Sequence, residues 1–420
     1  MAQTVTPPRG MRDFLPADKA RRERALGIIR ASYAAHGFDE IETPVMEDSS
    51  RLHSGLGGDN EKLAFAVMKR GLGPDDLAAA AASGDTLALA DLGLRFDLTV
   101  PLARFYATHR AALPGVFRSI QIAPVWRAER PQKGRYRQFM QCDIDIIGEA
   151  GQLAEIELIG ATAGTLDALG LSGCSIRIND RRILSALLAH WGVAETLFER
   201  ALITIDKLDK IGAGGVATEL AGLGIDADGI ADTLDGIANA GWELLHGTTP
   251  PPAWLDQQAY SELLTLRAAL PGVELVFDPT LVRGMGYYTG TIFEIAHPDL
   301  GYSLGGGGRY DGMIGRFLGN DVPACGFSIG FERIVDLLPE DAASAADAVV
   351  IVHEKDAVPA ELMALKRQLV ESGTRVRLEK RSKNLKALLE RAEADGFTRF
   401  ALLGQGVTDA GALEFKALGG

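Results

Sequence analysis

The chain has 420 residues and a formal net charge of -13, with 47% hydrophobic and 24% charged residues. That length holds roughly two to four domains with cores of their own, and the acidic balance excludes general nucleic-acid coating while leaving room for local basic patches. Cys142, Cys174 and Cys325 lie far apart, with no CxxC pair and no histidines spaced for zinc, which excludes a disulfide framework or a structural zinc site and fits a reducing cytoplasm. No apolar stretch is long enough to span a bilayer. The opening MAQTVTPPRGMRDFLP lacks the charged-then-apolar pattern of a signal sequence. The expectation is a cytoplasmic protein.

Residues 17–36 carry Leu26, Ile29 and Tyr33 at helical spacing, with Gly37 as a stop. FDEIETPVMED (38–48) reads as extended, with Pro44 at an edge or bend. Residues 71–93 are rich in Ala, Gly and Asp and weak in apolar pattern, and read as a peripheral excursion. LRFDLTVPLARFYATHR (94–110) reads as a short strand running into a helix.

The segment RAERPQKGRYRQF (127–139) gathers Arg127, Arg130, Lys133, Arg135 and Arg137 around one acid, Glu129. An apolar run from Ile120 to Trp126 precedes it, and the alternating Cys142-Asp143-Ile144-Asp145-Ile146 follows. Strand, basic loop, strand is the simplest reading, with Pro131 and Gly134 breaking any helix. Arginines concentrated on one loop of an acidic protein suit phosphate groups; the plain alternative is a solvated charged hairpin.

Further along, 152–169 is expected to be a helix ended by Gly170, and 175–180 a strand. From 182 to 256 the pattern becomes helical segments with Gly, Asp and Ala breaks, closed by TTPPPAW (248–254), and reads as an inserted module. VELVFDP (273–279) is strand-like, and LVRGMGYYTGTIFEIA (281–296) has the alternation of a hairpin. The glycine run 305–308 lacks the strand–turn–helix setting of a dinucleotide fingerprint, so close backbone packing is its first reading. CGFSIGFERIVDLLP (325–339) is a strand entering a helix. The tail from 345 alternates strand and helix, the signature of a small α/β domain with a mostly parallel sheet.

No P-loop, no Ser/His/Asp order and no metal-binding histidine pair stands out. What recurs is Arg127, Arg283 and Arg333, each in or beside an expected strand or strand–helix junction. Three arginines are costly to bury together without an anionic ligand. Fixed cations of this kind stabilise the negative charge that builds when a carboxylate attacks the α-phosphate of a nucleotide triphosphate. Asp97 and Asp145 are acids suited to a substrate ammonium. Taken singly, each of these residues is a surface or salt-bridge residue; together they form a pattern.

These residues carry a resemblance. GFDEIETPVME (37–47), VWRAERPQKGRYRQFMQCDIDIIG (125–148) and GFSIGFERI (326–334) resemble the three motifs of class II aminoacyl-tRNA synthetases. LVRGMGYYTG (281–290) and GGGGRYDG (305–312) resemble the two histidine-specific segments of the histidine–tRNA ligases, and RGMRDFLP is similar to that family's opening. The resemblance spans nearly the whole chain. It implies an α+β fold: an antiparallel sheet flanked by helices (1–181 and 257–340), a helical insertion (182–256), and a C-terminal α/β domain of the anticodon-binding type (345–420).

It also implies ATP-dependent joining of L-histidine to its tRNA through a histidyl-adenylate, with release of pyrophosphate and AMP and with Mg2+ accompanying ATP. By the same resemblance, Arg127 and Arg283 would act on the α-phosphate, Arg127 also holding the histidine carboxylate. Arg333 would take the terminal phosphates and Glu129 would place ATP. Asp97, Thr99 and Gln141 would surround the histidine amino group, and Asp145, Tyr287, Tyr288 and Tyr310 the imidazole. An imidazole offers a flat face to aromatic rings and an N–H to a carboxylate. Lys133 and Arg135 would reach the tRNA acceptor end, and Lys380, Arg381, Lys383 and Lys386 the anticodon phosphates. The family further implies a homodimer and no membrane association.

Gly286 stands where the family usually has Asp, and Met140 where many members have a polar residue or His. The chain ends just after its last expected strand, consistent with either a short natural domain or a trimmed chain. The rival reading is the synthetase-like regulatory subunit of ATP phosphoribosyltransferase, a paralogue that generally loses the ATP and tRNA contacts and the anticodon domain; this chain keeps Arg127, Arg283, Arg333 and a tail. A pure tRNA-binding module is a third reading, against which the intact set of histidine-pocket residues argues.

Overall fold

A computed structural model describes residues 5–53, 63–131, 134–238, 241–242, 251–283, 286–338, 347–404 and 406–419. Packing divides the chain into two units, Met1–Arg12 with Leu26–Leu338, and Asp13–Ala25 with Pro339–Gly420.

The larger unit contains strands β1 (Asp39–Glu40), β2 (Met46–Asp48), β3 (Phe65–Met68), β4 (Ala90–Leu94), β5 (Phe117–Trp126), β6 (Gln138–Ile147), β7 (Ser175–Asp180), β8 (Leu275–Phe277), β9 (Thr291–Ala296), β10 (Gly305–Arg309) and β11 (Ala324–Gly330). Eight of them form one sheet in the order β1-β5-β6-β11-β10-β9-β7-β8. The six central strands pair antiparallel, and the two edge pairs, β1–β5 and β7–β8, are parallel. The sheet is therefore mixed, with an antiparallel centre and flanking helices, among them the 26–35 part of Pro16–Ala35, and Thr99–His109, Leu153–Ala168 and Phe331–Leu337. Leu26, Ile29 and Tyr33 are all buried from the first of these.

The register explains the two faces of the sheet. Ile144, Phe327, Gly307, Phe293 and Ile178 lie in one cross-strand row. The Phe293 and Phe327 rings, with centroids 4.6 Å apart, come together over the gap at Gly307. The adjacent rows face the other way and are polar: Gln121, Asp143, Ser328, Gly306, Glu294 and Arg177 occupy one of them. Strand alternation thus turns one face to the apolar core and the other to the site.

Two expectations are corrected. The strand expected from residue 94 lies earlier, at Ala90–Leu94, inside the stretch read as a peripheral excursion, where it is the middle strand of a three-stranded sheet β2-β4-β3. Beyond it the chain is held by side chains: Arg95 Nη1 donates to Thr43 O at 2.8 Å, and Asp97 Oδ1 accepts from the Val100 amide at 3.2 Å, opening helix Thr99–His109. Of the hairpin expected over 281–296, the described residues form one strand, Thr291–Ala296, with 284–285 outside them. After β8, Asp278 Oδ1 accepts from the Thr280 amide and hydroxyl at 2.9 and 2.7 Å, a local turn that takes the chain off the sheet edge.

Between β7 and β8 run helices Arg181–His190, Phe198–Ile205, Leu208–Gly222, Ile230–Ala238 and Gln257–Ala269. Asp180 caps the first, accepting from the Arg182 amide at 2.8 Å.

The smaller unit holds β12 (Ala348–His353), β13 (Arg375–Lys380), β14 (Arg399–Leu402) and β15 (Phe415–Ala417), in the order β13-β12-β14-β15. Only the β14–β15 pair is antiparallel. Alternation along β12 splits its core: Val349 and Ile351 pack with Leu365 and Leu369, whereas Val350 and Val352 pack with Ala392 and Phe397.

A Cβ at Gly307 would lie 1.9 Å from the Gly326 carbonyl oxygen and 2.8 Å from the Phe293 ring. Gly307→Ala is expected to destabilise the protein by roughly 1–3 kcal/mol or more, as overpacked cores do. Urea unfolding monitored by tryptophan fluorescence reads this as a lower midpoint.

Candidate active site

Strand β6 alternates, so Phe139, Gln141, Asp143 and Asp145 share the polar face of the sheet. Arg127 follows β5 directly, and its guanidinium lies 5.0 Å from the Phe139 ring centroid while Nε donates to Phe96 O at 3.0 Å. Glu129 sits between two arginines, accepting from Arg135 Nη1 at 3.3 Å with Arg127 Nη1 at 4.0 Å. Arg135 is exposed, and Lys133 lies outside the described residues.

Asp97, Asp143 and Asp145 are all buried. Burial pushes the Asp97 carboxyl up to about 6, against the pull of the Val100 amide, the Arg127 charge and the Thr99 amide. Burial likewise raises Asp145 to about 7, even though the Tyr310 hydroxyl donates to its Oδ1 at 2.5 Å. Asp143 is driven up by burial and then by the neighbouring Asp145 charge, while the Ser328 hydroxyl bonds to it.

Two acceptors in this region have no hydrogen-bond partner among the described residues: Asp97 Oδ2 and Gln141 Oε1. Unsatisfied buried acceptors next to carboxylates favour a ligand that brings N–H donors and positive charge. Gln141 meanwhile turns its amide nitrogen to Ser328 Oγ at 3.3 Å.

The aromatic wall comes from two other segments. Tyr287 and Tyr310 meet edge-on with centroids 6.0 Å apart, and Tyr288 packs at 4.9 Å from Tyr287. Burial drives the Tyr287 hydroxyl well above its ordinary pKa, and the Thr99 side chain, at the start of its helix, offsets part of that rise. Two glycines keep the floor low: a Cβ at Gly326 would lie 2.0 Å from Asp145 Oδ1, and one at Gly306 would lie 2.7 Å from the Arg283 guanidinium carbon.

Arg283 crosses the sheet at Gly306 and gives Nη1 to Glu294 Oε2 at 2.6 Å. Arg333 leaves the N-terminal turn of helix Phe331–Leu337, bonds the Ser303 carbonyl and lies 5.1 Å from the Tyr302 ring centroid. Burial lowers its pKa, followed by the positive charges of Arg135 and Arg283. Arginines this close on separate elements repel one another, and an anion between them removes that penalty.

The expected residues Asp97, Thr99, Arg127, Glu129, Gln141, Asp145, Arg283, Tyr287, Tyr288, Tyr310 and Arg333 all lie in the larger unit. Sequence reasoning missed Asp143, Ser328 and Glu294; the alternation that brings Asp145 to this face carries Asp143 with it. In the smaller unit Lys380, Arg381, Lys383 and Lys386 are exposed around the end of β13, where Arg381 Nη1 is paired with Glu354 at 2.6 Å.

A family model described as Histidyl-tRNA synthetase matches residues 10–334. The chain is 64% identical over 429 residues to a histidine–tRNA ligase of Leifsonia xyli subsp. xyli (strain CTCB07), covering 100% of this chain and 99% of that one. The chain belongs to the histidyl-tRNA synthetase family. Among solved structures, the histidyl-tRNA synthetase from Nostoc sp. PCC 7120 aligns with a TM-score of 0.76 at 26% identity, over 99% of this chain and 95% of that one. An ATP phosphoribosyltransferase regulatory subunit/histidyl-tRNA synthetase from Bacillus halodurans C aligns with a TM-score of 0.73 at 23% identity, over 93% and 97%. That last likeness shows the fold alone, and the 64% identity over the full chain supports the ligase over the regulatory subunit.

The raised acids have a consequence for stability. A carboxyl whose pKa is higher in the folded state holds its proton when the unfolded chain has already lost it, so stability falls as pH rises from the ordinary carboxylate range to the folded value. For Asp145 that window runs from its ordinary 3.8 to about 7, a penalty on the order of 4 kcal/mol at most. Asp145→Asn keeps an acceptor for Tyr310 and removes the charge. The variant is expected to melt a few degrees higher than wild type at pH 8 without ligand, the gain vanishing toward pH 4; calorimetric scans across that range measure it.

Proposed function

We propose that this chain charges tRNA with L-histidine in two steps at this site. The histidine carboxylate attacks the α-phosphate of ATP, giving histidyl-adenylate and pyrophosphate; the terminal ribose hydroxyl of the tRNA then attacks the activated carbonyl and releases AMP. The observation that carries this reading is the pair of unpartnered buried acceptors, Asp97 Oδ2 and Gln141 Oε1, set beside Arg127 and the Asp145–Tyr310 pair. An α-amino acid presents an ammonium to the first two and a carboxylate to the arginine, and its imidazole N–H suits Asp145 among the three tyrosines. A pocket that pairs a polar edge in this way rejects apolar amino acids strongly.

No side chain needs to become a nucleophile. Arg127 and Arg283 flank the position of the α-phosphate, and Arg333 with Glu129 places the rest of the nucleotide. Fixed guanidinium groups stabilise the charge that builds on phosphorus, and holding the reactants together supplies much of the remaining rate. Mg2+ accompanying ATP would neutralise phosphate oxygens alongside the charge that Arg127, Arg283 and Arg333 would supply.

The tRNA would meet Arg135 and its neighbour Lys133 at the loop tip and the basic end of β13 in the smaller unit, through contacts weakened by salt. A homodimer formed through 37–47 and a cytoplasmic location follow the family's pattern; light scattering tests the first. Among the described residues no helix is long and apolar enough to cross a membrane.

The purified protein with ATP, Mg2+ and labelled pyrophosphate is expected to show histidine-dependent exchange. Tight histidine binding without exchange favours the regulatory-subunit reading instead. Arg283→Ala is expected to lower exchange by roughly 100-fold or more, the loss seen when a transition-state charge donor is removed, with an unchanged melting temperature. Near-normal exchange in that variant would disprove the role given to Arg283.

A further inference from the structure

Resting on the adenylation reading above, we propose that Glu294 is the positioning residue for Arg283, holding its guanidinium flat against the sheet for the attack on the α-phosphate. Arg283 sits on a segment outside any strand, so its own backbone does little to aim a long side chain. The aim comes from β9. Glu294 Oε2 takes Arg283 Nη1 at 2.6 Å, and both side chains are mostly buried, 17% and 24% exposed. Gly306, paired with Glu294 in the next strand, leaves the space that the guanidinium fills.

Glu294 is itself held. Its other oxygen, Oε1, accepts from Arg177 Nη1 at 3.4 Å, and Arg177 is tied to Asp278 by Nε at 2.7 Å and by Nη2. Asp278 in turn accepts from the Thr280 amide and hydroxyl. The sequence of contacts Asp278, Arg177, Glu294, Arg283 runs from a rigid turn at the sheet edge to the site. With one oxygen given to each arginine, Glu294 has its acceptors engaged within the protein, so its action on the substrate passes through Arg283. A charge-assisted bond fixed at both ends confers the orientation that a mobile arginine lacks.

The test is the rate of histidyl-adenylate formation in a rapid-quench single-turnover assay, with wild-type formation as the control for the adenylation reading itself. If wild type forms no adenylate, that reading fails; the outcomes below bear on Glu294 alone. Glu294→Gln is expected to slow formation by roughly 10–100-fold, the loss typical of a misoriented catalytic group, with histidine affinity by calorimetry and the melting temperature unchanged. In an Arg283→Ala background the same substitution should change the rate by less than about twofold, because coupled residues are not additive. Full multiplication of the two effects, or a wild-type rate in Glu294→Gln, overturns the proposal. Should Glu294→Gln fail to fold, Glu294→Asp carries the test: it keeps the charge but withdraws it by one methylene, and a wild-type rate in it overturns the proposal equally.

Discussion

The site depends on three carboxylates buried on one face of an antiparallel sheet without enough positive charge to balance them. Burial raises the pKa of all three, the charges of Asp145 and Asp97 add to the rise at Asp143, and the charge of Asp97 adds to the rise at Asp145. Arg127 is the cation that opposes this at Asp97 and Asp143. A folded protein tolerates such a cluster when the surrounding packing fixes it and a ligand relieves it. The ammonium and imidazole of histidine have the charge and donors to do so, which is what the proposed placement of the amino acid rests on.

The opposite imbalance lies alongside. Arg333 is pushed down by burial first and then by the positive charges of Arg135 and Arg283. An acidic half and a basic half thus share one sheet, and the proposed reaction would bring carboxylate and phosphate together at their border. The central strands keep this border flat by using glycine where a side chain would intrude, at Gly306 and Gly326. The apolar face behind them, with Phe293 against Phe327, makes the platform rigid, which is what electrostatic catalysis requires of its dipoles and charges.

The likeness to a protein titled as both regulatory subunit and synthetase shows why fold alone does not settle activity. Both readings need a histidine pocket, but only a synthetase needs a paired set of arginines aimed at ATP. The contacts that hold Arg283 and Arg333 in place therefore bear more on function than the pocket does, a case where the site and not the architecture carries the argument.

Much of this was legible in the chain itself. Periodicity placed the helix Pro16–Ala35, the basic hairpin of β5 and β6, and every strand of the smaller unit, because each is patterned over several residues by local chemistry. The motif-like segments named Arg127, Arg283 and Arg333. What failed was short or conditional: β4 is hidden in an Ala- and Gly-rich stretch, and the chain after β8 opens with an Asp278–Thr280 turn where the sequence pattern alternates like a strand. Glu294, Ser328 and Asp143 escaped notice because their roles arise from register. Which glycine lies beside which carboxylate, and which arginine each carboxylate meets, is set by pairing between strands far apart in the chain. The sequence by itself determined the residue types and their strand alternation; only the tertiary structure decided their partners, because charges interact through space and the sheet brings together what the chain keeps apart.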